Sequence, residues 1–205
     1  YKSKGLNIDI EVIEDDFIKK GSEILKPKPE NSKQYFKPFT HVIINPPYLK
    51  ISASSKERHL LEDLGLLVNT LYSAFIGLSI ALLSKNGHLV AITPRSFCNG
   101  QYFSPFRKYM LNNCSFKSIH LFQSRNSAFI EDDVLQENVI YYLQKNNERN
   151  SVNISVSNGR SFKESKSRIV PHSEIVSVND QDNIIRIPSN EFDDYVLERM
   201  SVLPN

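Results

Sequence analysis

Glycine is scarce in this chain. Seven glycines occur in 205 residues, about half the usual share of roughly 7%. Gly5, Gly21, Gly65, Gly77, Gly87, Gly100 and Gly159 each stand alone. The chain therefore holds no GxGxxG turn, no P-loop and no GxSxG elbow, and a cofactor loop built on clustered glycines is excluded from these residues. Cysteine is nearly absent as well. Cys98 and Cys114 lie sixteen positions apart, with neither a CxxC pair nor a metal-ligand spacing, so reduced thiols in a cytoplasmic protein are expected. The five histidines are scattered without an HExxH segment, and no metal site is expected. There is no signal-peptide pattern. The longest apolar stretch, Leu71 to Leu83, is too short to cross a bilayer, and a membrane is not an expected partner.

Net charge excludes less, because 25 Lys and Arg nearly balance 23 Asp and Glu. The distribution says more. From Leu64 to Ile130 there is no acid at all, while Lys85, Arg95, Arg107, Lys108, Lys117 and Arg125 fall in that window. A stretch of one sign fits either a solvated face or a surface for a polyanion. At 40% hydrophobic residues the chain can bury a core and is far from a disordered composition.

The hydrophobic patterning alternates strand and helix. Asn7–Phe17 alternates apolar and polar residues and reads as a strand ending in acids. Lys19–Pro38 reads as a polar connection. Phe39–Ile44 is a short apolar strand stopped by two prolines, which cannot continue a ladder. Ile51–Asp63 suits a mobile loop or short helix. Asn69 or Thr70 caps a helix to about Lys85, with Asn86-Gly87 at its end. His88–Thr93 is a strand, Ser104-Pro105 opens a helix to about Asn113, and Phe116–Phe122 and Asn138–Gln144 are strands. This order predicts an α/β fold with a mostly parallel sheet and an antiparallel hairpin at its edge. After Asn146 the composition turns to Ser, Asn and charge. A boundary is expected at 146–150, with residues 1–146 forming one domain and 147–205 a linker and the start of a second module.

Chemistry concentrates at Asn45-Pro46-Pro47-Tyr48. The segment follows an apolar strand directly, and open α/β sheets bind ligands at the carboxyl ends of their strands. The prolines stiffen the turn and hold a backbone carbonyl at a fixed angle. The Asn45 amide oxygen is a second acceptor, and Tyr48 offers a flat face. Two acceptors and an aromatic face suit a planar group bearing an amino substituent. Accepting both N–H hydrogens of such an amine favours a pyramidal nitrogen and stabilises the positive charge that grows as it is alkylated.

On these residues the chain resembles the N6-adenine DNA methyltransferases of restriction-modification systems, which are class I S-adenosylmethionine-dependent enzymes. The resemblance spans roughly residues 8–144. It implies a Rossmann-like sheet, S-adenosylmethionine as cofactor and double-stranded DNA as partner, with a possible cognate endonuclease in the same or another chain. Asn45 and the Pro46 carbonyl would bind the target amine in the Asn45–Tyr48 loop, with Tyr48 stacking on the flipped base. Glu14-Asp15-Asp16-Phe17 resembles the family's cofactor segment, where Asp16, or else Asp15, accepts from the cofactor's adenine amine and Phe17 packs on its ring. Phe129 matches the position of an aromatic on the other face of the flipped base. Arg95, Arg107, Lys108 and Arg125 are candidates to hold DNA phosphates. The family's glycine-rich turn belongs before Tyr1, so the expectation is a fragment of a longer protein, inactive alone, whose end opens a target-recognition region. Protein-glutamine and ribosomal-RNA guanine methyltransferases use similar loops, and a DNA-binding fragment without catalysis is the third reading.

Overall fold

The computed structural model describes residues 9–27, 36–122, 137–157, 165–177 and 180–190, with Asp193, Tyr195, Val196 and Arg199. Its elements run α1 (Phe17–Leu25), β1 (Phe39–Ile44), α2 (Lys56–Glu62), α3 (Leu71–Leu82), β2 (Leu83–Pro94), α4 (Ser104–Asn113), β3 (Ser115–Phe122), β4 (Asn138–Gln144), β5 (Ser151–Ser157), β6 (Lys166–Pro171) and α5 (His172–Ile175). Two 3-10 turns, Arg95–Cys98 and Gln101–Phe103, join β2 to α4.

The six strands form one sheet in the order β1-β2-β4-β3-β5-β6. β1 with β2 and β3 with β5 pair in parallel, while β4 and β6 run the other way. Four strands thus share one direction. The expected antiparallel pair of β3 and β4 forms, but inside the sheet rather than at its edge. β4 inserts between β2 and β3, and β5 and β6 extend the sheet beyond β3. The sheet therefore continues past the composition change at residue 146. β5 adds to β3, and Ile185 and Ile187 enter the same core as Phe97 and Ile119. Polar surface on an added strand changes composition without ending a sheet.

The strand expected over Asn7–Phe17 does not form in its described part. Residues 9–16 carry no strand, and Ile10, Val12 and Ile13 are 83%, 87% and 63% exposed. An alternating pattern needs a neighbour to pair with, and β1 is paired only with β2 among the described residues. The following segment, expected as a connection, is α1. Asp16 caps it, its Oδ1 accepting from the Lys19 backbone N–H at 2.9 Å, as short acidic side chains favour.

α3 is the central helix. Thr70 and Ser73 form a reciprocal capping box at its start, and nine of its twelve residues are buried. A helix apolar on nearly every side belongs in the interior. α3 ends earlier than expected, at Leu82, and Asn86-Gly87 sits within β2 instead of at a helix end. There the register jumps from Phe39–Leu83 to His41–His88. Asn86 takes φ of 62°, and a Cβ on Gly87 would lie 2.9 Å from the Ser84 carbonyl oxygen, so the irregular turn selects this pair.

Residues from all five helices join one core against the face bearing Leu89, Ala91, Ile119, Val139 and Tyr141. On the opposite face, by alternation, His41, His88 and Tyr142 form a row. Their rings lie 4.9 and 5.8 Å apart, and the Tyr142 hydroxyl and His88 Nδ1 are 2.8 Å apart.

Candidate active site at the carboxyl ends of β1 and β2

Asn45–Tyr48 leaves β1 at its carboxyl end, as the sequence implied. Asn45 and Pro47 are exposed, Pro46 is buried and Tyr48 is half-buried. The buried proline anchors the turn, and the exposed amide faces outward. The exit of the loop is clamped to the start of α3. The Leu71 N–H donates to the Leu49 carbonyl at 2.8 Å, and the Ile51 N–H donates to the Asn69 carbonyl at 3.0 Å. Lys50 and Thr70 form the corresponding antiparallel bridge.

The Tyr48 hydroxyl donates to Asn45 Oδ1 at 3.2 Å. Burial raises the Tyr48 phenol above its ordinary value, so it stays protonated and can serve as that donor. Behind it stands Tyr72 of α3, edge-on, with ring centroids 6.3 Å apart and planes at 88°. Tyr72 in turn stacks on Phe103 at 5.6 Å and 27°. The hydroxyl of Tyr72 lies 3.1 Å from Ser96 Oγ, and burial pushes its pKa up to about 12. Three aromatic rings thus run from the loop after β1 to the loop after β2.

A second aromatic group lies on α1 and α3. The Phe17 and Phe75 rings are 4.9 Å apart at 39°. Asp16 precedes them, with Oδ1 engaged in its cap and no partner for Oδ2 among the described residues. Asp15 is committed elsewhere, accepting from the Asp16 N–H at 2.8 Å and pairing with Lys20 at 3.9 Å. Tyr72 and Phe75 are three residues apart on one helix, so α3 backs both aromatic groups from neighbouring positions. Helical spacing marks Phe75 as core, Tyr72 lies on the same helix, and Phe103 lies in a 3-10 turn. Only their partners distinguish them, and the available sequence signal is that aromatics cluster just after the capped start of α3.

The basic candidates separate. Lys108 is exposed, and Arg95 is part-exposed and paired with Glu137 at 3.4 Å. Arg107 does not face DNA. It is 1% exposed, and its guanidinium donates to the carbonyls of Phe97 at 3.0 Å, Gly100 at 2.7 Å and Asp182 at 2.9 Å. A planar fork with several donors suits a buried junction of carbonyls. Phe129 and Arg125 lie outside the described residues. Among the described residues no His, Cys, Asp and Glu cluster could hold a metal. A cavity of about 500 Å³ lined by Arg149, His172 and Val176 lies at the amino end of β5, away from this site.

A family model for the Eco57I restriction-modification methylases matches residues 2–129. The chain belongs to that family. It is 43% identical over 201 residues to the type II methyltransferase M.PstI of Providencia stuartii, and 44% identical over 182 residues to M.BsuBI of Bacillus subtilis. Those alignments cover 97% and 89% of this chain but 38% and 36% of the relatives, so this Eco57I-family chain spans little more than a third of their length. Among solved structures it is similar to a type I restriction-modification assembly, with a TM-score of 0.57 at 12% identity over 80% of this chain and 43% of that one. The type IIG restriction endonuclease BpuSI gives a TM-score of 0.53 at 15% identity, over 71% of this chain and 20% of that one. These likenesses show a shared α/β fold. No described helix is long and apolar enough to cross a membrane.

Proposed function

We propose that this chain carries the target pocket and part of the cofactor pocket of a DNA methyltransferase that moves a methyl group from S-adenosylmethionine to the exocyclic N6 of an adenine flipped out of the duplex. The observation that carries the reading is the Asn45 amide oxygen at the end of β1, 3.2 Å from the hydroxyl of a tyrosine whose ring is backed by Tyr72. Asn45 Oδ1 and the Pro46 carbonyl accept the two amine hydrogens, and the Tyr48 ring stacks on the base. The entering amine replaces the Tyr48 hydroxyl on Asn45 Oδ1, so the acceptor is not left unpaired before the base arrives. Held by two acceptors, the nitrogen directs its lone pair outward, and the charge that develops meets an oxygen dipole already in place.

The cofactor supplies an electrophilic methyl group on a sulfonium. The Phe17–Phe75 pair and the free Asp16 Oδ2 fit its adenine, offering an apolar face for the ring and an acceptor for the amine. Phe75 thereby joins Asp16 and Phe17 as a cofactor contact. Phe129 is assigned to the second face of the flipped base, and Lys108, Arg95 and Arg125 to phosphates. A cognate endonuclease activity, in this or another chain, accompanies the reading. Residues 147–205, which also supply β5 and β6 to the sheet, are assigned to a linker and the opening of the target-recognition region.

The test is transfer of labelled methyl groups by the full-length protein to duplex DNA, followed by nucleoside analysis. N6-methyladenine is expected, and Asn45→Ala lowers the rate by at least about a hundredfold, the scale of losing one aligned polar group at a reacting centre. Methylation of a protein glutamine or of RNA in place of DNA, or an unimpaired Asn45→Ala variant, overturns the reading.

A further inference from the structure

The loop between β2 and α4 holds a feature that the methyl-transfer reading leaves unused. Tyr102 is 82% exposed, yet the backbone around it is fixed on both sides. Its own carbonyl accepts from Asn69 Nδ2 at 3.4 Å. The next residue, Phe103, is stacked on Tyr72. Two residues earlier, the Gly100 carbonyl is held by the buried Arg107 guanidinium at 2.7 Å, and a Cβ on Gly100 would come within 2.7 Å of the Ser96 carbonyl oxygen. The loop is therefore tightly wound, and it presents one aromatic ring to water. It leaves β2, the strand hydrogen-bonded to β1, and its Phe103 is joined to Tyr48 through the Tyr72 ring, so Tyr102 directly adjoins the aromatic row behind the Asn45–Tyr48 loop.

We propose that Tyr102 stacks on the duplex bases that lose a neighbour when the target base leaves the helix. This rests on the flipped-adenine reading above. Unstacking a base costs a few kcal/mol, and an aromatic ring placed against the exposed base face recovers part of that cost without regard to base identity. A rigid mount matters because the ring then loses little freedom on contact. The chain itself carries no acid from Leu64 to Ile130, and the exposed Lys108 lies on α4, directly after this loop; the acids that reach the loop across space are Glu137, paired with Arg95, and Asp182, beside the buried Arg107. The tyrosine hydroxyl has no part in the role, so the ring alone is required.

The experiment uses the full-length protein and a duplex that it methylates, with 2-aminopurine replacing the methylated adenine. Wild type and Tyr102→Phe are expected to give the same fluorescence rise on binding. Tyr102→Ala is expected to lose most of that rise and to bind the duplex on the order of tenfold more weakly, the effect of removing one stacked ring. S-adenosylmethionine affinity, measured in parallel, stays unchanged in both variants. A Tyr102→Ala protein with the full rise and full affinity overturns the proposal, as does a Tyr102→Phe protein as impaired as Tyr102→Ala. Absence of a rise in the wild type overturns the flipped-base reading itself, and so separates the two failures.

Discussion

The two loops that end β1 and β2 sit side by side and are both rigid, for different physical reasons. Asn45–Tyr48 is stiffened covalently by two proline rings and anchored by one buried proline. The Arg95–Phe103 loop has no proline inside it. It is held by a buried arginine 1% exposed that donates to the Phe97, Gly100 and Asp182 carbonyls, and the Cys98 carbonyl accepts from Ile185 at 2.8 Å. The proline part of the first kind of rigidity is local, and only the loop's exit is tied elsewhere, to the start of α3. The second depends on a side chain from α4 and on a segment some eighty residues further along the chain. A reacting group can stand on either, but the two respond differently to mutation.

The largest expected effect breaks function at the first loop and leaves stability alone. Asn45 is exposed, so the Asn45→Ala loss of methyl transfer given above should come with an unfolding free energy within about 0.5 kcal/mol of wild type. The second loop should behave in the opposite sense. Arg107→Met leaves three carbonyls without their donor and is expected to cost about 3 kcal/mol or more, read from denaturant unfolding. Arg107→Lys recovers only part, because an ammonium does not reproduce the planar fork. Phe75→Leu sharpens the comparison at α3, which backs both aromatic groups. It should weaken S-adenosylmethionine binding by roughly tenfold, on the scale of one stacked ring, with DNA affinity unchanged by titration.

The smallest effect is a probe of the second loop. Burial pushes the Cys98 thiol up to about 12, and the Cys114 thiol likewise. Thiolate is the reactive form, so at pH 8 neither should react with an alkylating reagent while the fold is closed. Arg107→Met should accelerate labelling of Cys98, by mass spectrometry, more than labelling of Cys114. Equal acceleration at both would mean global unfolding and would erase the distinction drawn between the loops.

Much of this molecule was legible from residues alone. The strand before Asn45, the capped start of α3, the α4 helix opening at Ser104-Pro105 and the β3–β4 pair follow from short-range signals of proline, caps and apolar runs. So does the Asn45–Tyr48 turn, because proline restricts its own backbone wherever it stands. The failures share one cause. Residues 9–16 alternate like a strand but lack a paired neighbour among the described residues, Arg107 carries the charge of a DNA contact but is buried, and β5 begins in a polar stretch yet joins the sheet. Each outcome is set by what lies across space, not along the chain. The pairing of Phe17 with Phe75 and of Tyr48 with Tyr72 belongs to the same class. An aromatic residue on a buried helix is core by every local criterion, and only the packing of α1 and the β1 loop on either side of α3 sets Phe75 against Phe17 and Tyr72 against Tyr48.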